Sequence, residues 1–230
     1  MTSYNKNCFN KLKLVTICLS LISYPVAFAE DKAVEDFVWS FDTIRMIESA
    51  DPKRGEAIAK EQKCAKCHGD TGISDEDDSP SIAGQIAAYT YKQLIDYKTK
   101  VRDEKTMFKK VRKLGLQDFA DMSAFYALQE PEPSLAKGEN PPDLVTIGDK
   151  KRLLIACNIC HGKNGEGYGY ESPALTGQKI ESFVETMMAF REEDRENDHY
   201  SRMRFISSQL TEEEIEELAA FYAAKPLEDE

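Results

Sequence analysis

Cys64-Ala65-Lys66-Cys67-His68 and Cys157-Asn158-Ile159-Cys160-His161, each followed by glycine, set two thiols and one imidazole in the same five-residue frame twice. Thiols three positions apart can each add to a vinyl group of haem, and the adjacent imidazole then reaches the iron from one face. Cys64, Cys67, Cys157 and Cys160 are therefore candidate thioether anchors, and His68 and His161 candidate iron ligands, for two covalently bound haem c groups. A redox dithiol needs no histidine and usually sits in a βαβ setting absent here. A zinc site needs four Cys or His donors on one metal, whereas each motif offers three.

The frame around the motifs repeats as well. An offset of 93 carries Cys64 onto Cys157, Gly55 onto Gly148, Ser79-Pro80 onto Ser172-Pro173 and Gly84-Gln85 onto Gly177-Gln178. That period is too long for a solenoid and suits two small domains. Aligning Ala124-Phe125-Tyr126-Ala127 with Ala220-Phe221-Tyr222-Ala223 raises the offset to 96, and Met107 then falls on Met203.

Those two methionines matter because the second axial ligand is otherwise in short supply. After His68 and His161 only His199 remains, so two bis-histidine irons are impossible from this chain alone. Methionine raises a haem potential relative to a second imidazole. Met122 maps onto Leu218, while Met187 and Met188 map back onto Leu94 and Ile95, as core residues would. Met107 and Met203 are the candidate sixth ligands. A ligating imidazole also needs an acceptor for its free N–H, and the repeated carbonyls of Pro80 and Pro173 are candidates, although those prolines could merely shape the loop.

The elements that must hold these groups are helical. Val34, Phe37, Val38, Phe41, Ile44 and Ile47 recur at spacings of three and four, which predicts an amphipathic helix within 30–50 that covers a core, with Trp39 off the stripe as a possible docking contact. Asp51-Pro52 opens a helix running into Cys64, and the second copy is expected to start near Thr146 and reach Cys157 in the same way. Helices follow over 89–100, 116–129, 179–191 and 210–224, the last entered by the capping box Thr211…Glu214. Loops follow each motif, and a Pro-rich, stiff linker is expected over 131–145. The fold class is all-α: two tandem haem domains, 51–130 and 146–230, after an N-terminal extension.

Residues 1–29 read as a secretory signal, with Lys6, Lys11 and Lys13 before an apolar run that ends Ala27-Phe28-Ala29 and is cleaved after Ala29. The run is short for an uncleaved anchor, and Cys18 lacks a lipoprotein setting. Loss of those lysines takes the formal charge from −11 to −14. Such a field disfavours nucleic acid and suits a redox partner with a basic docking face, or serves solubility alone. The haem motifs use the four remaining cysteines, so no disulfide is expected.

The two C-x-x-C-H-G motifs, Ser79-Pro80, Gly84-Gln85, Met107 and the segment from Asp121 to Leu128, with their second copies, resemble the diheme class I cytochromes c of the cytochrome c4 type. The resemblance covers roughly residues 51–225 and implies a periplasmic carrier whose two similar domains are related by an approximate two-fold axis. It also implies haems close at the domain interface, His/Met ligation, and proline carbonyls that accept from the haem histidines. It leaves unexplained residues 31–50, the acids at 75–78 and three extra residues within 191–200. That acidic segment, which includes His199, is expected to be a solvent-facing loop, or else a partner or pH-sensitive contact.

The function expected is one-electron transfer between redox proteins, without catalysis and without a small-molecule substrate. The alternative is the cytochrome subunit of a larger dehydrogenase, of the flavocytochrome c sulfide dehydrogenase type. A diheme peroxidase fits less well, because it needs one open iron site.

Overall fold

The computed structural model describes residues 37–133 and 140–223. The expected signal segment and its cleavage point lie outside these residues, as do 134–139 of the linker. The described residues belong to one compact unit, and their regular structure is helical apart from three isolated β-bridges.

In the first half, α1 (Phe41–Glu48) starts at Ser40, whose hydroxyl accepts from the Thr43 amide. Helix α2 (Pro52–Gln62) starts as expected, with the Asp51 side chain accepting from the Lys53 and Arg54 amides and proline in the first turn. It ends at Lys63 in the left-handed region, so the one-turn α3 (Ala65–His68) leaves in a new direction. Next come α4 (Ala87–Thr99), α5 (Lys105–Val111) and α6 (Leu116–Ala127). Tyr91, Leu94, Tyr97, Val111, Phe119 and Met122 pack into one core.

The second half repeats the later elements: α8 (Asn158–His161), α9 (Ile180–Arg191), α10 (Arg202–Ser208) and α11 (Glu212–Tyr222). Its separate core holds Val145, Phe183, Met187, Ile215, Leu218 and Tyr222. Thr211 caps α11 through the reciprocal bonds of a capping box. The expected helix into Cys157 is absent. Only the single turn α7 (Asp143–Thr146) forms before Gly148 takes φ +76, Leu153 takes φ +59, and Asp149 pairs with Leu154 in a bridge. Arg152 locks this turn to α11 with two 2.8 Å bonds to the Glu214 carboxylate.

The N-terminal extension also departs from expectation. Its helix begins at Phe41, and Val38 and Phe41, placed on the buried stripe by periodicity, are 78 % and 72 % exposed. Phe37, Met46 and Ile47 do cover the first core. Trp39 is used within the chain: its indole N–H donates to Glu171 at 2.6 Å and its ring lies 5.1 Å from that of Tyr170 in the second half.

The segment over 191–200 faces solvent through its acids, with Glu192, Glu193, Asp194 and Glu196 exposed, but two of its residues turn inward. Arg195 and Asn197 are each 7 % exposed and lie against α4 of the first half. Arg195 donates to Tyr89 and Gln93, and Asn197 donates to Gln93 and Asp96. Lys92 completes the cluster, pairing with Asp96 at 2.5 Å and donating to the Asn197 carbonyl at 2.9 Å. These polar side chains are buried because they satisfy one another, which hydropathy along the chain does not register.

Candidate haem sites

Both motifs take the same local form. Each begins at a cysteine, makes one helical turn and stops at a glycine of positive φ, Gly69 or Gly162. The turn stacks the two sulfurs and the histidine toward one side. A cavity of about 800 Å³ is lined by Cys64, Cys67, Cys157 and Cys160, by His68 and His161, and by Met107 and Met203, so that both halves contribute to its wall. The four cysteines are free of disulfides.

The histidines are held alike. Nδ1 of His68 lies 2.9 Å from the Pro80 carbonyl, and Nδ1 of His161 lies 2.8 Å from that of Pro173. A carbonyl only accepts, so Nδ1 carries the proton and Nε2 keeps its lone pair for a metal. Burial lowers both imidazole pKa values against the opposing effect of those carbonyls, which keeps the rings neutral as ligation requires. Burial also raises the Cys64 thiol and pushes Cys157 up to about 11. A redox dithiol relies on a depressed thiolate, so this environment does not suit one.

Four methionines line the cavity: Met107, Met122, Met187 and Met203. Met122 and Met187 are core residues at 3 % and 7 % exposure, and the Met187 sulfur takes a contact from the Ser207 hydroxyl at 3.9 Å. Met107 and Met203 are half-buried on the short helices α5 and α10, which the sequence reading did not assign. Glu104 caps α5 through the amides of Thr106 and Met107 and so fixes the start of the Met107 turn.

The same wall holds groups suited to a large amphiphilic ligand bearing carboxylates. The Arg102 guanidinium meets the Gln93 amide oxygen and the Tyr97 ring, and burial together with neighbouring Arg195 holds its pKa down. The Tyr222 hydroxyl and Thr90 Oγ1 line the cavity, buried and without a partner. The residues present therefore fit haem: sulfur anchors, neutral imidazoles, thioethers, an apolar wall and buried cations.

Sequence reasoning missed the contact that joins the sites. Gln85 accepts from the Ala174 amide at 2.8 Å and donates to the Ala174 carbonyl at 3.0 Å. Gln178 does the same to Ser81, at 2.8 and 3.0 Å. The glutamines are one repeat apart, as are their targets, so the clamp has the self-complementary form of a two-fold contact. The preceding glycines, Gly84 and Gly177, let Pro131 and Glu132 of the linker pass close by. The repeated Gly-Gln pair was the available signal.

A family model described as Cytochrome c matches residues 52–129. Cytochrome c4 of Thiocapsa roseopersicina is 34 % identical over 174 residues, which span 72 % of this chain and 88 % of that protein. A thiosulfate dehydrogenase electron acceptor of Thiomonas intermedia is 25 % identical over 171 residues, covering 71 % and 79 % respectively. The crystal structure of reduced recombinant cytochrome c4 from Pseudomonas stutzeri superimposes with a TM-score of 0.68 at 29 % identity, over 76 % of this chain and 98 % of that one.

Proposed function

Because this chain belongs to the cytochrome c4 family, with two covalently bound haem c groups and an electron carrier's function, we propose that each half closes its own His/Met site and that the pair relays single electrons between redox proteins in the periplasm. Cys64 and Cys67 anchor the first haem and His68 and Met107 ligate it; Cys157, Cys160, His161 and Met203 serve the second. Haem c when bound supplies a one-electron couple. Pro80 and Pro173 fix the tautomer and plane of the two imidazoles, and the guanidiniums of Arg102 and Arg195 are the cations that would meet the carboxylates of a bound haem. Residues 51–130 and 146–230 form the two haem domains, and 1–29 direct export.

The observation that carries this reading is the doubled constellation: in each half a C-x-x-C-H turn, a proline carbonyl on the histidine Nδ1 and an offset-matched methionine share one cavity wall. With a histidine and a methionine for each haem, neither iron would keep a position open for peroxide. Oxidised protein should show the methionine–iron absorption band at two-haem intensity and no peroxide turnover; a high-spin haem in half of the sites would overturn the assignment.

The partners are redox proteins, and the second half suits one with a basic face, since residues 146–230 carry ten Lys/Arg against eighteen Asp/Glu. The subunit reading keeps one point in its favour, the likeness to proteins described as acceptors for thiosulfate dehydrogenase. Stable co-purification with a dehydrogenase would select it.

A further inference from the structure

Subtracting one cavity rim from the other exposes a chemical contrast. In the first half Gln62, Lys63 and Lys66 flank the cysteines and Lys109 and Lys110 follow Met107. The matching residues of the second half are Ile155, Ala156, Ile159, Phe205 and Ile206. Polar or cationic residues are thus replaced by apolar ones at all these positions. Lys63, Lys66 and Lys109 are exposed and make no ion pair among the described residues. Lys110 bridges the two sides of the rim by donating to the Gln62 carbonyl at 2.8 Å. Of the acids nearby, Glu104 is occupied in capping α5, Glu61 and Asp70 are exposed beside the motif, and Glu76 and Asp78 line the cavity from the loop that follows it. Opposite, Ile155, Ile159 and Phe205 are 52 %, 66 % and 48 % exposed, with Arg202 as the rim cation.

We propose that the first-half rim is the docking site of a redox protein with an acidic face, distinct from the partner served by the second half. The assignment rests on the carrier reading above and on charge complementarity. A cationic ring steers an anionic surface and orients it over the buried site, an effect that weakens with salt. The chain then presents opposite electrostatics to its two partners, so neither competes for the other's site.

The test uses the full-length holoprotein in stopped-flow electron exchange with plastocyanin as an acidic probe and mitochondrial cytochrome c as a basic one. Lys63→Glu, Lys66→Glu and Lys109→Glu together should lower the plastocyanin rate at low ionic strength by about tenfold or more. They should also abolish its decline with salt. Ile159→Glu with Phe205→Glu should leave that rate within about twofold. Equal losses in the two variants, or no loss in the triple variant, would overturn the assignment. Failure of the unaltered holoprotein to exchange electrons with either probe would instead sink the carrier reading.

A second inference follows from the clamp. The carbonyl of Pro80 and the amide of Ser81 belong to one peptide group. His68 donates to its oxygen at 2.9 Å, and its N–H donates to Gln178 of the other half at 2.8 Å. The Pro173–Ala174 peptide stands in the same way between His161 and Gln85, at 2.8 Å on both sides. Hydrogen bonds in series polarise one another. We infer that Gln178 and Gln85 are positioning residues that set the electron donation of the opposite half's histidine: an acceptor on the N–H makes the carbonyl more negative, strengthens the bond from Nδ1 and favours the oxidised iron.

Gln178→Leu should therefore raise the midpoint potential of the first haem alone, and Gln85→Leu that of the second alone, each assigned by the histidine Nδ1 proton resonance. Gln178→Glu keeps the acceptor while losing the amide donor, so it should hold the first potential at or below its starting value. A mere interface role predicts equal movement of both haems in every variant. That result, or a shift confined to the haem of the mutated half, would overturn the inference.

Discussion

Gly55 and Gly148 occupy the same place in the repeat and do different work. Gly55 lies inside α2, where an added Cβ would sit 2.0 Å from the Asp121 carbonyl oxygen, so it lets α2 cross α6 at close range. Gly148 holds a left-handed turn at φ +76 where the second half has no such helix. The first half closes its entrance with α2, and Asp121 ties that helix down by accepting from the Asp51 amide at 2.9 Å and pairing with Arg54. The second half closes it with a turn bolted to α11 through Arg152 and Glu214. What both halves keep is the C-x-x-C-H turn, the proline carbonyl on the histidine and a methionine at the matching offset; the wall outside them differs.

The sharpest way to test that equivalence is to remove the offset-matched methionines. Met107→Ala and Met203→Ala should each abolish half of the methionine–iron absorption and open one haem to exogenous ligand, whereas Met188→Ala should leave the spectrum intact. Loss of the band in Met188→Ala would break the register on which the comparison stands.

A smaller effect distinguishes the two entrances. Gly55→Ala forces a backbone clash and should destabilise the first half by about 3 kcal/mol, read from denaturant unfolding followed at the first haem. Asp121 offers a pH-dependent version. Burial alone would raise its carboxyl, but the Asp51 amide, Gln117 and Arg54 hold it below the usual range. With a folded pKa below the unfolded value of about 3.9, its contribution is present at neutral pH and is lost as pH falls through that region. Asp121→Asn should cost about 1 kcal/mol at pH 7, and the difference from the parent should shrink toward pH 3. The second half has exposed Glu217 at the matching place, with no helix like α2 for it to tie down.

The smallest effect concerns the entry to the closing helix. Thr211 caps α11, while its counterpart Gly115 has no side chain and α6 keeps only the bond that the Gly115 amide donates to the Asp118 carboxylate at 2.8 Å. Thr211→Ala should cost about 1 kcal/mol and Thr211→Gly only a few tenths, measured by thermal unfolding.

These contrasts also mark what could be read from residue order. The motifs and the cap at Thr211 are local: both motifs take the same single turn and Thr211 makes its capping bonds. The turn at Gly148 was hidden because an identical glycine suits a close helix crossing and a positive φ equally well. Arg195 and Asn197 were hidden because their partners lie about a hundred residues away, and polar residues that satisfy each other look, in one dimension, like a solvated loop. Val38 precedes α1 and Phe41 only opens it, so periodicity alone assigned them to a core they do not reach.

The buried cluster of Lys92, Gln93, Asp96, Arg195 and Asn197 also carries a kinetic implication. An apolar seam between the halves could slide by an ångström at little cost, since dispersion contacts have no preferred direction. Directional bonds among buried charges and amides fit only one alignment, and their worth lies in specificity rather than net stability. Electron tunnelling falls steeply with distance, so a seam locked in register gives the step between the two metal sites a single rate instead of a spread. Arg195 and Asn197 thus act as a spacer gauge for the gap that, on the carrier reading, an electron must cross.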